Sequence, residues 1–266
     1  RDSAKAAFRD GFTRYYVQGH RNGKNIAFGG YGRDGKPVWN EITEICFELH
    51  GELNRPNPKL TYRFGKKTPQ AQLEKVAACL AAGRTSVVFA CEETLHEMFR
   101  RRGKAEADLA DYVLVGCYEP GIGGREIVAS MAAEINLAKP LEAVFNGGRD
   151  FAGRPVGPAC ALPADADAFE REYLRQLDAV ISQAVATARI AECAWYDLNP
   201  APLMSDQYRD CLASAKDSSQ GGCRYNSSGI MCGGLGTVAD SLAAVRPLVD
   251  ETKAVTMAQL AETLKN

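Results

Sequence analysis

YVLVGCYEP, residues 112–120, runs an apolar stretch of β-type residues directly into Gly-Cys-Tyr-Glu-Pro. Tyr-Val-Leu-Val has no polar alternation, so it predicts a strand buried on both faces, as in the middle of a parallel sheet. In open α/β folds, what projects beyond the carboxyl end of such a strand faces a crevice rather than solid core. Cys117 and Glu119 are therefore the first candidates for chemistry. Gly116 removes the neighbouring side chain, and a turn there would bring the Glu119 carboxylate into the same cavity as the thiol.

The flanking segments carry a βαβαβα rhythm. KLTYRF (59–64) alternates like a strand, and Thr68-Pro69 is an N-cap and first-turn pair opening a helix to about residue 80. SVVFA (86–90) is a second strand, and EETLHEMFRRRG (92–103) a helix with acids at its start and arginines at its end. Strands joined by single helices imply parallel pairing with right-handed crossovers, which would collect Phe64, Cys91 and Cys117 along one crevice edge. REIVASMAAEINLAKPLEAVFNGG then reads as a helix over 125–145, kinked at Pro140 and stopped at Gly147. Residues 150–167, rich in Pro, Gly and Ala, form the best internal boundary. They separate a strand-and-helix half (1–149) from helices and site-lining loops (168–266). A long amphipathic helix to about residue 193 follows, then an irregular Pro/Gly/Ser/Asn-rich stretch over 195–236. Two closing helices come last, the second opened by the capping pair Thr256 and Gln259.

Composition narrows the function. The 266 residues are 45% hydrophobic, enough for a substantial core, and 32 basic side chains balance 33 acidic ones. That balance gives no global field for nucleic acid or an anionic membrane, so neither is expected as a partner. No apolar run reaches a membrane-spanning length and no signal-peptide core is present, so a cytoplasmic protein is expected. The chain opens on Arg1, partway through a helix-like pattern, which points to a piece of a longer chain. Nine cysteines, odd in number and without a C-x-x-C pair, fit a reducing compartment and give no zinc or iron-sulfur spacing. His20, His50 and His96 lie far apart and read as surface or hydrogen-bonded histidines.

Three glycine-rich stretches have competing readings. GIGG (121–124) resembles a phosphate cradle opening a helix but lacks the Lys-Ser/Thr of a P-loop. GGLGTVA contains G-x-G-x-x-A at Gly234, Gly236 and Ala239, yet the preceding NSSGIMC is polar and no βαβ unit follows. GYGRDGKP (30–37) is a turn. For Cys117 two readings stand, a small buried hydrophobe or a working thiol. A thiolate needs a His, a cation or a helix N-terminus nearby, and the loop offers only Arg125. A neutral thiol that exchanges a hydrogen atom needs only dryness.

With these residues in view, the chain resembles the glycyl radical enzymes, the superfamily of pyruvate formate-lyase and the radical diol, choline and hydroxyproline lyases. GKNIAFGG with NEIT, RPNPKLTYRF, VGCYEP, INLAKPLEAVFNGG, NPAPLMS, GGCRYNSSG and VADSLAAV are each similar to family blocks, in family order. The resemblance implies α/β architecture, part of a ten-stranded barrel of two parallel half-sheets with the Cys loop at its centre. It implies Cys117 as the thiyl radical and Glu119 as the general base. Phe64, Ser130, Glu134, Asn226 and Met231 would contact a small-molecule substrate. Ser130 and Glu134 lie on one face of the expected 125–145 helix, where an acid favours a substrate hydroxyl or ammonium over a carboxylate; a solvated helix acid is the alternative for Glu134. No cofactor is bound directly. The glycyl radical is expected outside this chain, installed by a radical S-adenosylmethionine activase, with a homodimer and an oxygen-free cytosol.

Departures from the pattern matter. No R-V-x-G-Y glycyl motif occurs in these residues, the N-terminal half-barrel is absent, and Gly65 stands where a His is common. Cys-x-Glu is closer to the eliminating lyases and arylacetate decarboxylases than to the paired cysteines of pyruvate formate-lyase. The expected activity is a dehydratase-type elimination. A silent homologue, a pyruvate formate-lyase-like acyltransferase, an arylacetate decarboxylase and a nucleotide-binding oxidoreductase remain alternatives.

Overall fold

The computed structural model describes residues 1–17, 25–83 and 86–265. The chain forms two compact units. One holds residues 1–128 and 202–226, the other residues 129–201 and 227–266. The chain therefore crosses between the units within two strands, at 128/129 and 226/227, and at 201/202, not in the 150–167 loop expected to divide it.

In the first unit, α1 (Asp2–Val17) precedes β1 (Asn25–Gly29), α2 (Glu41–Leu53), β2 (Lys59–Phe64), α3 (Gln70–Ala81), β3 (Val87–Cys91) and α4 (Glu92–Arg101). The three strands form a parallel sheet in the order β1-β2-β3. Asn40 caps α2 by accepting from Thr43 N–H at 3.0 Å. Helix α3 starts one residue later than expected, because the Thr68 hydroxyl accepts from Gly65 N–H at 2.9 Å instead of capping the helix. Along β2 the even residues Leu60 and Tyr62 enter a core with Phe12, Ile45, Phe47, Leu49 and Val76. The odd residues face the other way, where Arg63 meets Tyr112. Tyr62 is fully buried, with Phe47, Phe89 and Trp39 edge-on at about 6 Å. Such aromatic pairs add about 0.5–1.5 kcal/mol each beyond area burial.

The YVLVGC strand is not the third parallel strand; β1 is. Strand β4 (Tyr112–Val115) turns back antiparallel onto β5 (Glu119–Ile122) as a two-stranded hairpin. Tyr112 and Leu114 are buried and Val113 and Val115 exposed, so the strand is covered on one face only. The buried face packs with Ala90, Phe99, Leu109 and Ile122.

The expected 125–145 helix is also corrected. Residues Glu126–Asn136 are strand β6, and only Ala138–Phe145 is helical (α5). The alanine-rich sequence has helix propensity, but pairing with β7 (Tyr225–Gly233) overrides it. Tyr225 N–H donates to Arg125 O and Leu137 N–H to Gly233 O, so the two strands run in the same direction. Gly229 permits the approach, since a Cβ there would lie 3.1 Å from the Ser130 carbonyl oxygen. Pro140 sits in the first turn of α5, where its missing N–H is an orphan position anyway, and causes no kink.

Helix α6 (Ala166–Leu198) is capped by Asp165. The stretch expected to be irregular holds α7 (Pro202–Ser205), α8 (Arg209–Ser214) and β7. The second unit closes with α9 (Leu235–Val245) and α10 (Met257–Thr263), the latter with the expected Thr256/Gln259 capping box. Its core gathers Leu141, Val144, Phe145, Phe169, Tyr173, Val238, Val245 and Met257.

Candidate active site

Gly116, Cys117 and Tyr118 form the tip of the β4–β5 hairpin. Tyr118 N–H donates to Val115 O at 2.9 Å, and both Gly116 (φ +54°) and Tyr118 (φ +85°) are left-handed. Left-handed geometry suits Gly116 but strains Tyr118, and such strain persists only where the surroundings enforce it. Here Tyr118 packs on the hairpin core beneath the Lys59 ammonium, 4.7 Å from its ring. Burial holds the Tyr118 hydroxyl above its usual pKa.

The same contact fixes the direction of the hairpin. Tyr112, where it begins, lies by Arg63 near the carboxyl end of β2; Tyr118, at its tip, lies by Lys59 at the amino end. Cys117 is thus carried across the sheet face, away from the carboxyl edge where it was expected with Phe64 and Cys91. Phe64 and Cys91 are register neighbours on β2 and β3. Phe64 shares the face of Tyr62 and packs edge-on to Phe89 at 5.8 Å, on the opposite side of β2 from the hairpin.

Glu119 is the candidate with the best-defined geometry. Its carboxylate folds back over Gly116, where a Cβ would sit 3.1 Å from Oε2. Oε2 is buried with no hydrogen-bond partner among the described residues. Buried polar atoms are nearly always paired, so an orphaned carboxylate oxygen two residues along the chain from a thiol is open to a donor. Cys117 itself is exposed, contrary to the dryness expected of a hydrogen-atom carrier, because a three-residue tip lifts it beyond the packed part of the hairpin.

Two buried ion pairs secure the hairpin arms, and sequence reasoning missed both. Glu92, with no exposed surface, accepts from Arg63 Nε at 2.8 Å and Nη2 at 3.2 Å, and from the Tyr112 hydroxyl at 2.7 Å. His96 Nε2 lies 3.4 Å from the same carboxylate. Burial pushes His96 below the usual histidine pKa, and the Arg63 charge adds to that. On the other arm, Glu126 accepts from Lys104 and from Ile122 N–H. Burial lowers the Lys104 pKa despite that partner. The readable signal was Arg63 between the aromatic residues Tyr62 and Phe64 of an internal strand, since a buried charge requires a partner.

At the carboxyl end of β2, a Cβ on Gly65 would overlap the Tyr31 hydroxyl and come within 2.7 and 2.8 Å of the Glu93 carboxylate oxygens. Tyr31 donates to Glu93 at 3.1 Å and accepts from Lys67 N–H at 2.8 Å, so this pair fills the space beside Gly65. Burial pulls the Glu93 carboxyl up, but hydrogen bonds from Lys66 N–H, its own backbone, Tyr31 and Cys91 outweigh it and hold the pKa low.

The remaining candidates lie on other elements. Ser130 and Glu134 still share a face, because four residues return to the same side of a strand as of a helix, but β6 is the strand that carries them and Glu134 is exposed. Met231 lies on β7 and is half-exposed. The Asn226 amide is turned back onto Cys223 O at 2.9 Å. Phe64, Cys117, Glu119 and Asn226 belong to the first unit, and Ser130, Glu134 and Met231 to the second. GIGG precedes a strand, and a carboxylate, Glu126, occupies its Ile122 N–H, which removes the phosphate reading. Gly234 does open α9 as the G-x-G-x-x-A pattern requires, and the polar NSSGIMC before it is strand β7, not a loop. His20 lies outside the described residues. Among the described residues no cluster of three His, Cys, Asp or Glu could hold a metal, and no helix is long and apolar enough to cross a membrane.

The profile of the pyruvate formate lyase-like family matches residues 2–266. The chain belongs to that family. Curated relatives include a (2S)-3-sulfopropanediol dehydratase of Klebsiella oxytoca, 29% identical over 92% of this chain and 30% of that protein. A trans-4-hydroxy-L-proline dehydratase of Clostridioides difficile is likewise 29% identical, over 90% and 31%. The chain thus spans about a third of the length of these relatives. A glycyl radical enzyme from Archaeoglobus fulgidus superposes with a TM-score of 0.89 at 23% identity, covering 100% of this chain and 36% of that one. The glycerol-bound B12-independent glycerol dehydratase from Clostridium butyricum gives 0.84 at 27%, covering 91% and 31%. The parallel sheet with flanking helices is therefore the mixed α/β fold of glycyl radical enzymes.

Proposed function

We propose that this protein is a glycyl radical lyase of the eliminating type, acting on a small hydroxylated molecule and releasing water or an amine. In this reading the Cys117 sulfur radical takes a hydrogen atom from a substrate carbon and becomes S–H. Glu119 takes the proton of the neighbouring hydroxyl, and the leaving group departs from the adjacent carbon. The sheet would form part of a ten-stranded barrel. The radical would reach Cys117 from a glycine outside these residues, after activation by a radical S-adenosylmethionine enzyme in an oxygen-free cytosol, and the enzyme would be a homodimer. Ser130, Glu134, Asn226 and Met231 are proposed to face the substrate; the packing of Phe64 makes it the least supported of the set.

The observation that carries the reading is the Glu119 carboxylate, folded over Gly116 beside Cys117 with one buried, unpartnered oxygen. A base poised for a hydroxyl proton needs such a free acceptor. The test is anaerobic activation of the full-length protein, followed by turnover assays with glycerol, 1,2-propanediol, trans-4-hydroxy-L-proline, 3-sulfopropanediol and isethionate. Cys117→Ser is expected to keep the glycyl electron paramagnetic resonance signal and abolish turnover. Glu119→Gln is expected to lower turnover about 10²–10⁴-fold, the usual contribution of a general base. Full activity in either variant would overturn the assignment. The exposed Cys117 thiol favours a second reading, a catalytically silent homologue, which predicts no glycyl signal after activation.

A further inference from the structure

Cys211 and Cys223 are both buried, and their sulfurs lie 3.6 Å apart. Neither belongs to the hairpin site, and both are free thiols. A disulfide needs about 2.05 Å between sulfurs, so the two must approach by about 1.5 Å to close the bond. The backbone on either side is already held in place. Lys216 N–H bonds to Cys211 O, Gly222 N–H to Asp217 O, and Ser218 N–H to the Ser205 hydroxyl. On the far side, Asn226 bonds to Cys223 O. The segment between the two cysteines is therefore a pre-closed loop whose ends already meet.

We propose that Cys211 and Cys223 are a reversible oxidation site, forming an intramolecular disulfide when a small peroxide reaches them. One thiol reduces hydrogen peroxide, becoming a sulfenic acid and releasing water. The second thiol displaces the sulfenic hydroxyl, releasing a second water and forming the S–S bond. Two thiols thereby give up two electrons and two protons to one peroxide. Burial pushes the Cys223 thiol up to about 12, with the hydrogen bond to Cys211 adding to it, so the link forms slowly at neutral pH and faster as pH rises. A peroxide is small enough to enter where a bulky disulfide reagent is not. The staple would join α8 to the chain just ahead of β7. This site is independent of the proposed lyase activity.

Trypsin separates the two cysteines into DCLASAK (210–216) and DSSQGGCR (217–224), each with one thiol. The full-length protein, kept folded as judged by circular dichroism, is treated with hydrogen peroxide, alkylated without reductant and digested. The expected product is the cross-linked pair, two hydrogens lighter than the separate peptides and split by dithiothreitol. Cys211→Ser should abolish the pair, and Cys223 should then be trapped by dimedone as a sulfenic acid when the peroxide-treated protein is unfolded in its presence. If both peptides remain singly alkylated at a peroxide dose that consumes the exposed Cys117 thiol, the proposal is wrong.

Discussion

Residue 65 shows how one missing side chain shapes this chain. Because the Tyr31 hydroxyl and Glu93 carboxylate occupy the volume beside Gly65, Gly65→Ala must displace a hydroxyl that is itself bonded to Lys67 N–H. Overpacking of this kind costs about 1–3 kcal/mol. Urea unfolding should show that loss, and Tyr31→Phe in the same chain, which deletes the colliding oxygen, should recover part of it. Gly116 is constrained for two reasons, its positive φ and the Glu119 oxygen over it. Gly116→Ala should cost about 1–2 kcal/mol from the left-handed backbone alone. It should also push the Glu119 carboxylate out of its fold-back position, so that under the proposed mechanism turnover falls more than stability does. Equal stability of Gly116→Ala and the parent would show that the tip is not held in the geometry described.

The hairpin is an element held from outside itself. Two strands alone are marginal in water, and this pair depends on the Arg63–Glu92–Tyr112 cluster at its base. Arg63→Met removes the guanidinium and leaves Glu92 as a buried unpaired charge, a loss of about 3–5 kcal/mol, whereas Arg63→Met with Glu92→Leu should recover most of it. His96 adds a pH dependence whose sign follows from its depressed pKa. The folded state binds that proton less well than the unfolded chain, so its contribution is complete above the usual histidine value of about 6.5 and fades as pH falls through that value to the folded one. Melting temperature should therefore drop between neutral and mildly acidic pH, and His96→Asn should flatten that drop. How much of this was legible depended on whether the signal was local. The caps of α10 and the alternation of β2 are written within a few residues, and both formed as expected. Strands β6 and β7 were not legible, because alanine, serine and glycine carry little β preference and each strand exists only by pairing with a partner about a hundred residues away. The same non-local choice decided β4. Four apolar residues fit a central strand or a one-sided hairpin equally well, and Cys-x-Glu singled out Cys117 and Glu119 as candidates without revealing which edge of the sheet they would reach.

At the scale of the whole molecule, charge and apolar surface act in opposite ways. Arg1, Lys5 and Arg9 of α1 meet Glu48 and Glu52 of α2 in an exposed ladder. Exposed pairs of this kind contribute little and are screened by salt, so the ladder should weaken as ionic strength rises while Phe12 keeps α1 packed on the core. The apolar surface is the stronger influence. Along α6, Leu174, Ile181, Ile190 and Leu198 are all exposed, Ile190 at 72% and Leu198 at 81%. Leu174 and Ile181, seven residues apart, share one face of α6, and Ile190 and Leu198 lie on another, so the helix leaves large aliphatics in water on more than one side, a surface suited to association. With a net charge near zero, little repulsion opposes that association. Sedimentation of this 266-residue chain should therefore show an average mass that rises with protein concentration and persists in high salt. Ile190→Glu with Leu198→Glu, which introduces two charges where the aliphatics would be buried, should return the chain to a monomer without lowering its melting temperature. A parent chain that sediments as a monomer at every concentration would show that α6 is not a contact surface.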